Sequence, residues 1–410
     1  MTQPPLAPRR AGTPTAEDLA RWSDADAAAR PIRLARIRER MAQEAVDAYL
    51  GVSRENTRYL TGFVLGEGEE KSAGDSGRFL ISHDDLVVLA DSRYRGQAEE
   101  ECPGSRIEES YYDLPDRWAG LVRGLRGPQG GPVHRIAVEA NLVSQALWGR
   151  LQSAEPDVEL VASGGWIEEL RAVKEPTEIE RVGAACAVAD EALERLLPSI
   201  RSGVPERELA LQLEWEMRTH GAEALAFDVT CLSGPRAALP HGSPGERRVA
   251  EGEVLLFDFG AQVSGYRSDM TRTLFVGDPD PADMAVYELV ARAQEAAFEL
   301  LMGAAAGNDS PTGVSVDRAA RDVIVSAGHG DHFGHGLGHG IGLATHEAPS
   351  LSLRAMPAPL PWPTVFSIEP GVYLPGRTGV RIEDLVAFDP EAGRVELLTA
   401  FPRTPTVVGS

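Results

Sequence analysis

Residues 254–276 read VLLFDFGAQVSGYRSDMTRTLFV, and the two aspartates in this stretch decide how the C-terminal half of the chain is built. Val254 to Ala261 and Met270 to Val276 have the β-branched and aromatic make-up of strands, with Gln262-Val263-Ser264-Gly265 between them as turn chemistry. Asp258 interrupts the first run. A carboxylate there is costly to bury unless a cation or strong donors receive it. Asp269 opens the second run. A turn centred between Val263 and Ser264 makes the two aspartates face each other, with Cβ atoms about 4.5–5.5 Å apart. Two anions that close repel unless a metal or a shared proton lies between them. The construction recurs further on: Glu369 follows Val365-Phe366-Ser367-Ile368, and Glu383 follows Val380-Arg381-Ile382. Pro375-Gly376-Arg377 is the turn, Gly376 is the midpoint, and the glutamates are again opposed. Arg381 shares a face with Glu383 and can pair with one of these acids.

A third element is His335-Gly-Leu-Gly-His339-Gly-Ile-Gly, followed by His346-Glu347-Ala348-Pro349; five of the nine histidines fall between His329 and His346. The glycines allow close backbone approach. The stretch is neither a phosphate loop nor an H-E-x-x-H zinc helix. Four carboxylates and a neutral imidazole are a ligand set that Mn²⁺, Co²⁺ or Zn²⁺ accepts. Five protein ligands exceed what one catalytic zinc with an open position takes, which favours two metals.

Outward from these motifs, the chain has 410 residues, 43% hydrophobic and 25% charged, and a net charge of −22. That composition is globular, and the acidic balance argues against a grip on nucleic acid or an anionic membrane. Cys102, Cys186 and Cys231 are odd in number and far apart, so they read as reduced, buried thiols. With no membrane-length apolar run and no secretory signal, the expected address is cytoplasmic. Residues 1–30 read as a loose tail that could end in a short helix. Residues 31–167 form a small mixed α/β domain, with strands Phe79 to Ile81 and Leu86 to Ala90 flanking a Ser82–Asp85 turn. Residues 168–410 read as an α+β domain. There the spacing predicts a helix to Leu197 capped by Thr177 and Glu180, and another started by Pro205 and stopped by Gly221. Further helices are expected over about 283–302 and 315–327, and strands over 364–373 and 380–388.

The strings LLFDFGAQVSGYRSDMTRTLFVG, HGLGHGIGLATHEAP, FSIEPGVYLPGRTGVRIEDLV and AALPHG closely resemble the M24 "pita-bread" metallopeptidases over nearly all of residues 168–410. ENTRYLTGF and LADSRY resemble the creatinase-type N-terminal domain of the proline-specific branch, the prolidases and aminopeptidases P. The resemblance implies that Asp258 binds one of two divalent ions per subunit and His339 and Glu369 the other, with Asp269 and Glu383 bridging. A water or hydroxide shared by the metals would be the nucleophile. Glu369 would be general base and later proton donor, His241 would lie near the scissile bond, and His346 would stabilise the tetrahedral intermediate or shuttle protons. His335 would line the substrate site, and Arg381 would hold the bridging glutamate there. His220, His329 and His332 have no such match. The implied reaction is hydrolysis of Xaa-Pro bonds in di- or oligopeptides by a homodimer. In many prolidases an arginine follows the HExP string, but here Ser350 does; Arg354, Lys71 or Arg78 could take its place. A lid formed by the polar loop at 67–77, with the modest chain length, favours a dipeptidase over an aminopeptidase P. A binding module without catalysis is the reading of another class, but such relatives have lost ligands that this chain keeps.

Overall fold

The computed structural model describes residues 12–66, 72–307 and 310–409. The chain divides into two compact units, Ala20–Leu170 and Arg171–Ser410, the latter taking in the short segment ahead of Ala20. The first is a six-stranded mixed sheet in the order Arg106–Glu108, Leu86–Leu89, Phe79–Ser82, Ala48–Gly51, Arg135–Glu139, Glu159–Ser163. Its inner strands are buried along their length apart from their first residues Leu86 and Arg135, which are half-buried. Leu50, Leu80, Leu89, Ile136 and Val138 form one core with Trp118 and Leu151 of the covering helices.

The reading of residues 1–30 as a tail needs correction from residue 16 onward, because Ala16–Gln43 is one helix; residues 1–11 lie outside the described residues. Hydrophobic periodicity is sparse there, but Ala16, Ala20, Ala25 and Ala27 to Ala29 are strong helix formers, and Trp22 is buried.

The second unit is α+β. One four-stranded sheet runs Val407–Val408, Met270–Val276, Val254–Phe259, Thr230–Ser233. A five-stranded sheet runs Glu347–Leu351, Gly338–Gly340, Thr364–Ile368, Asp384–Asp389, Arg394–Leu397. Helices Pro281–Ala305 and Gly313–Ser326 pack against both through Val290, Phe298 and Ile324, which join Leu256, Phe275, Phe366 and Val386 in one core. The helix Pro176–Leu196 starts two residues earlier than its T-x-x-E signature suggests. Pro176 takes the first helical position, and Glu175 forms the capping box with Glu178. Helix Glu206–Thr219 follows Pro205 and ends before Gly221, whose φ is 117°. The two expected C-terminal strands are each broken. Thr364–Ile368 is separated from Gly371–Leu374 by Glu369 and Pro370, and Thr378–Arg381 from Asp384–Asp389 by Ile382 and Glu383. Both breaks fall at the glutamates. Among the described residues no helix is long and apolar enough to cross a membrane.

Candidate metal centre

The two acid pairs are assembled by strand register. In the second pair Ile368 faces Asp384 on one side of the break and Gly371 faces Arg381 on the other, so the continuous register sets Glu369 across from Glu383. Freed from the ladder, the glutamate N–H groups turn to other strands. Glu369 donates to the Leu337 carbonyl at 2.8 Å, within its own sheet, and Glu383 to that of Thr271 at 3.1 Å, which stitches the two sheets together at the acids.

The first pair differs from the expected direct opposition. Its turn is centred one residue later, on Ser264 and Gly265, whose φ values of 47° and 84° are the left-handed pair of a type I′ hairpin. Asp258 consequently faces Thr271. Asp269 lies two positions from Thr271, so it stays on the same face, diagonal to Asp258. His339 enters from Gly338–Gly340. A Cβ at Gly338 would lie 1.9 Å from the Ser367 carbonyl oxygen, and one at Gly340 2.1 Å from that of Ala348. Only glycines let this strand lie so close to its neighbours.

Asp258, Asp269, His339, Glu369 and Glu383 all line one cavity of about 720 Å³, together with His241, His335, His346 and Arg381. Ligand atoms of Asp269, His339 and Glu383 lie within 4.8 Å of one another. His339 Nε2 is 3.6 Å from Asp269 Oδ2 and 3.4 Å from Glu369 Oε1. Its Nδ1 meets the Gly340 carbonyl at 3.1 Å. A carbonyl only accepts, so the proton sits on Nδ1 and Nε2 presents its lone pair to the acids. Burial lowers the His339 pKa to about 4, keeping the ring neutral.

The carboxyls shift the other way. Burial, and after it the neighbouring acids, pushes Asp269 and Glu383 well above the ordinary range. Burial likewise raises Asp258 and brings Glu369 to about 7. Asp258 Oδ1 and Glu383 Oε1 are buried with no hydrogen-bond partner among the described residues. Orphaned anionic oxygens beside a neutral imidazole are what a divalent cation would satisfy, so the residues fit the expected metals.

Arg381 differs in detail from its expected role. Its Nη2 meets Asp258 Oδ2 at 2.5 Å, Nη1 donates to the Tyr373 hydroxyl at 2.9 Å, and Nε donates to Thr271 Oγ1 at 2.8 Å. Thr271 Oγ1 then donates to Glu383 Oε2 at 2.7 Å, so the arginine reaches Glu383 only through the threonine. Tyr373 also meets His335 Nε2 at 2.9 Å, and burial lowers the His335 pKa to about 4. The His346 ring centroid is 4.1 Å from that of His339. Its neighbour Glu347 is bound by Arg171 and, at 2.6 Å, by Lys174. Ser367 Oγ accepts from His339 N and donates to Glu369 Oε1 at 3.2 Å.

Thr271, Tyr373, Ser367 and the Glu347 cluster were not singled out in the sequence. A correct turn register would have flagged Thr271 as the partner of Asp258; a lone hydroxyl beside an acid carries no other signal. His220, His329 and His332 do not line the cavity, and all three cysteines are buried and free. Ser350 lines it, whereas Arg354 is exposed and outside it. Arg78 pairs with Asp75 at 2.6 Å in the N-terminal unit. Lys71 and the first part of the 67–77 loop lie outside the described residues.

Residues 180–390 match the model of metallopeptidase family M24, and residues 33–173 that of the creatinase/prolidase N-terminal domain. The uncharacterized peptidase YqhT of Bacillus subtilis (strain 168) is 34% identical over 363 residues, 88% of this chain and 97% of that protein. A solved Xaa-Pro dipeptidase from Bacillus anthracis superposes with a TM-score of 0.81 at 33% identity, covering 92% of this chain and 99% of that one. An X-Pro aminopeptidase from Thermotoga maritima MSB8 gives 0.80 at 34%, with the same coverage. An N-terminal creatinase/prolidase domain, and beyond it four acids and a histidine gathered by strand register in the matched region, place this chain in metallopeptidase family M24.

Proposed function

We propose that this protein is an Xaa-Pro dipeptidase that works with two divalent ions, Mn²⁺ or Zn²⁺, with Co²⁺ also suited to the ligands. The observation that carries the reading is the set of four carboxylates and a neutral His339 around one cavity, Asp269 and Glu383 buried and the others half-buried, with Asp258 Oδ1 and Glu383 Oε1 unpartnered among the described residues. Asp258 would hold one ion, His339 and Glu369 the other, and Asp269 and Glu383 both. When bound, the pair would lower the pKa of water toward neutrality and polarise the scissile carbonyl. Glu369, held by Ser367, would take the proton of the attacking water and return it to the proline nitrogen, which leaves poorly unless protonated. His346 would stabilise the oxyanion or relay the proton, and His241 would sit by the scissile bond. His335, anchored by Tyr373, would line the substrate site. The working unit is proposed to be a homodimer in the cytoplasm, its dimerisation checked by sedimentation.

Purified protein loaded in turn with each metal and offered Ala-Pro and Ala-Pro-Ala tests the reading. A dipeptidase cleaves Ala-Pro with the higher kcat/KM. Equal or better cleavage of the tripeptide makes the enzyme an aminopeptidase P instead. One observation favours that second reading: Arg381 is the sole lysine or arginine among the described residues of the cavity lining, and its fork is committed to Asp258, Thr271 and Tyr373. A dipeptidase needs a cation for the free proline carboxylate. A non-catalytic binding module is rejected by stoichiometric metal with turnover of either peptide.

A further inference from the structure

His241 lines the cavity, yet its ring makes no hydrogen bond among the described residues. Its place is therefore set by the backbone that carries it, and that backbone is gripped on both sides by one carboxylate. Glu206, at the start of helix Glu206–Thr219, is wholly buried. Its Oε1 accepts from Ser233 N at 2.8 Å and Ser233 Oγ at 3.0 Å, ahead of the loop. Its Oε2 accepts from Arg236 Nε at 3.0 Å and, beyond His241, from Gly245 N at 3.2 Å. Arg236 in turn donates Nη2 to the Ser243 carbonyl at 2.6 Å, and its own carbonyl accepts from Leu239 N at 2.9 Å. Acidic side chains in a first helical turn commonly serve the helix end. Here all four bonds of the carboxylate go to the segment 233–245, and the cap residue Pro205 makes no side-chain cap bond. A charged acceptor with four donors is a stiff clamp, and it encloses a cavity histidine that, unlike His346 with its ring contact to His339, has neither a hydrogen bond nor a ring contact among the described residues.

We propose that Glu206 is a positioning residue for His241, acting through Arg236 and the Gly245 amide; the proposal rests on the reading of His241 as a residue beside the scissile bond. Glu206→Gln keeps the size but turns an amide N–H₂ toward donors, so the loop relaxes without a cavity. The test is a kinetic cycle of wild type, Glu206→Gln, His241→Ala and the double variant on Ala-Pro, with metal content measured for each. The expected result for Glu206→Gln is a fall in kcat of about 10–100-fold, the scale of an ångström of misplacement, with KM and bound metal little changed. In the His241→Ala background the same change moves kcat less than about twofold, since the group being placed is gone. Arg236→Gln, which leaves the backbone donors of Glu206 intact, repeats the cycle should Glu206→Gln fold poorly, and the same loss of effect is expected. A fall that persists in full in the His241→Ala background overturns the proposal and leaves Glu206 a general support of the fold. Wild-type kcat in His241→Ala overturns the role of His241 and the proposal with it, so the two failures are told apart by the single variant.

Discussion

Four acids facing one cavity cannot all ionise side by side without cations, and the hydrogen bonds already made divide their oxygens by role. Thr271 occupies Glu383 Oε2 and leaves Oε1 unpaired; Arg381 occupies Asp258 Oδ2 and leaves Oδ1. Glu383 and Asp258 thus each keep one oxygen anchored and one oxygen free to take a ligand position. Glu383→Ala is expected to abolish turnover and lower bound metal while removing a source of repulsion, so the metal-free variant should melt no lower than metal-free wild type. Normal metal content with retained activity would reject the bridging role. His346 is a different case, since its ring packs at a tilt against His339 but the five-ligand set is complete without it. His346→Ala should cut kcat by roughly 10²–10⁴, the usual scale of an acid–base group, with metal unchanged. Loss of metal in that variant would make His346 a ligand.

At the scale of elements, the centre depends on backbones approaching closely enough for side chains from five strands or strand ends to converge. Gly338 shows how little room there is: a Cβ 1.9 Å from the Ser367 oxygen must push the His339 strand off its neighbour. Gly338→Ala is expected to cost about 1–3 kcal/mol, the range for overpacking, and to lower metal content. Gly334→Ala, with nothing within 4 Å of its Cβ, should be silent in both. Equal melting temperatures and equal metal in the two variants would show that the strand has slack. These elements also show what was legible beforehand. Gly376 fixed the Glu369–Glu383 opposition correctly, because a three-residue turn around a glycine leaves a single midpoint. The other hairpin turns one residue later than its sequence suggests, because Val263-Ser264 and Ser264-Gly265 both read as turns and only the left-handed pair matches the twist of the strands. The acids still shared a face, since moving the turn centre by one residue moves the partner by two. The early start of the first helix at Ala16 is not legible because alanine carries propensity without periodicity. Thr271 and Tyr373 were missed because what they do is set by contacts between distant strands, Thr271 reaching Glu383 and Tyr373 reaching His335.

For the whole molecule, the centre makes stability depend on metal and on pH together. The sign follows from the groups involved. Glu369, raised to about 7, and Asp269 and Glu383, raised well above the ordinary carboxyl range, bind protons in the folded metal-free protein that they do not bind when unfolded. A raised carboxyl pKa means stability present at low pH and lost as pH climbs from the unfolded value, near 4, through the folded one. The buried His339 and His335, lowered to about 4, act oppositely, losing stability as pH falls below about 6.5. Between pH 6.5 and 8 these histidines are neutral in the folded state and only complete the second half of their titration in the unfolded one, a smaller change than that of the carboxyls, which set the trend. Metal-free protein should therefore melt at progressively lower temperature across that window. Cations that replace the protons remove the penalty, so the gain in melting temperature on adding Mn²⁺ or Zn²⁺ should grow with pH. Ionic strength is held at physiological level because the chain carries a net charge of −22, and screening keeps general repulsion from imitating the effect. Calorimetric scans of metal-free and metal-loaded protein at pH 6.5, 7.25 and 8 decide it. A metal-induced gain that is flat or shrinks with pH would mean that the four acids are not the groups that exchange protons for metal.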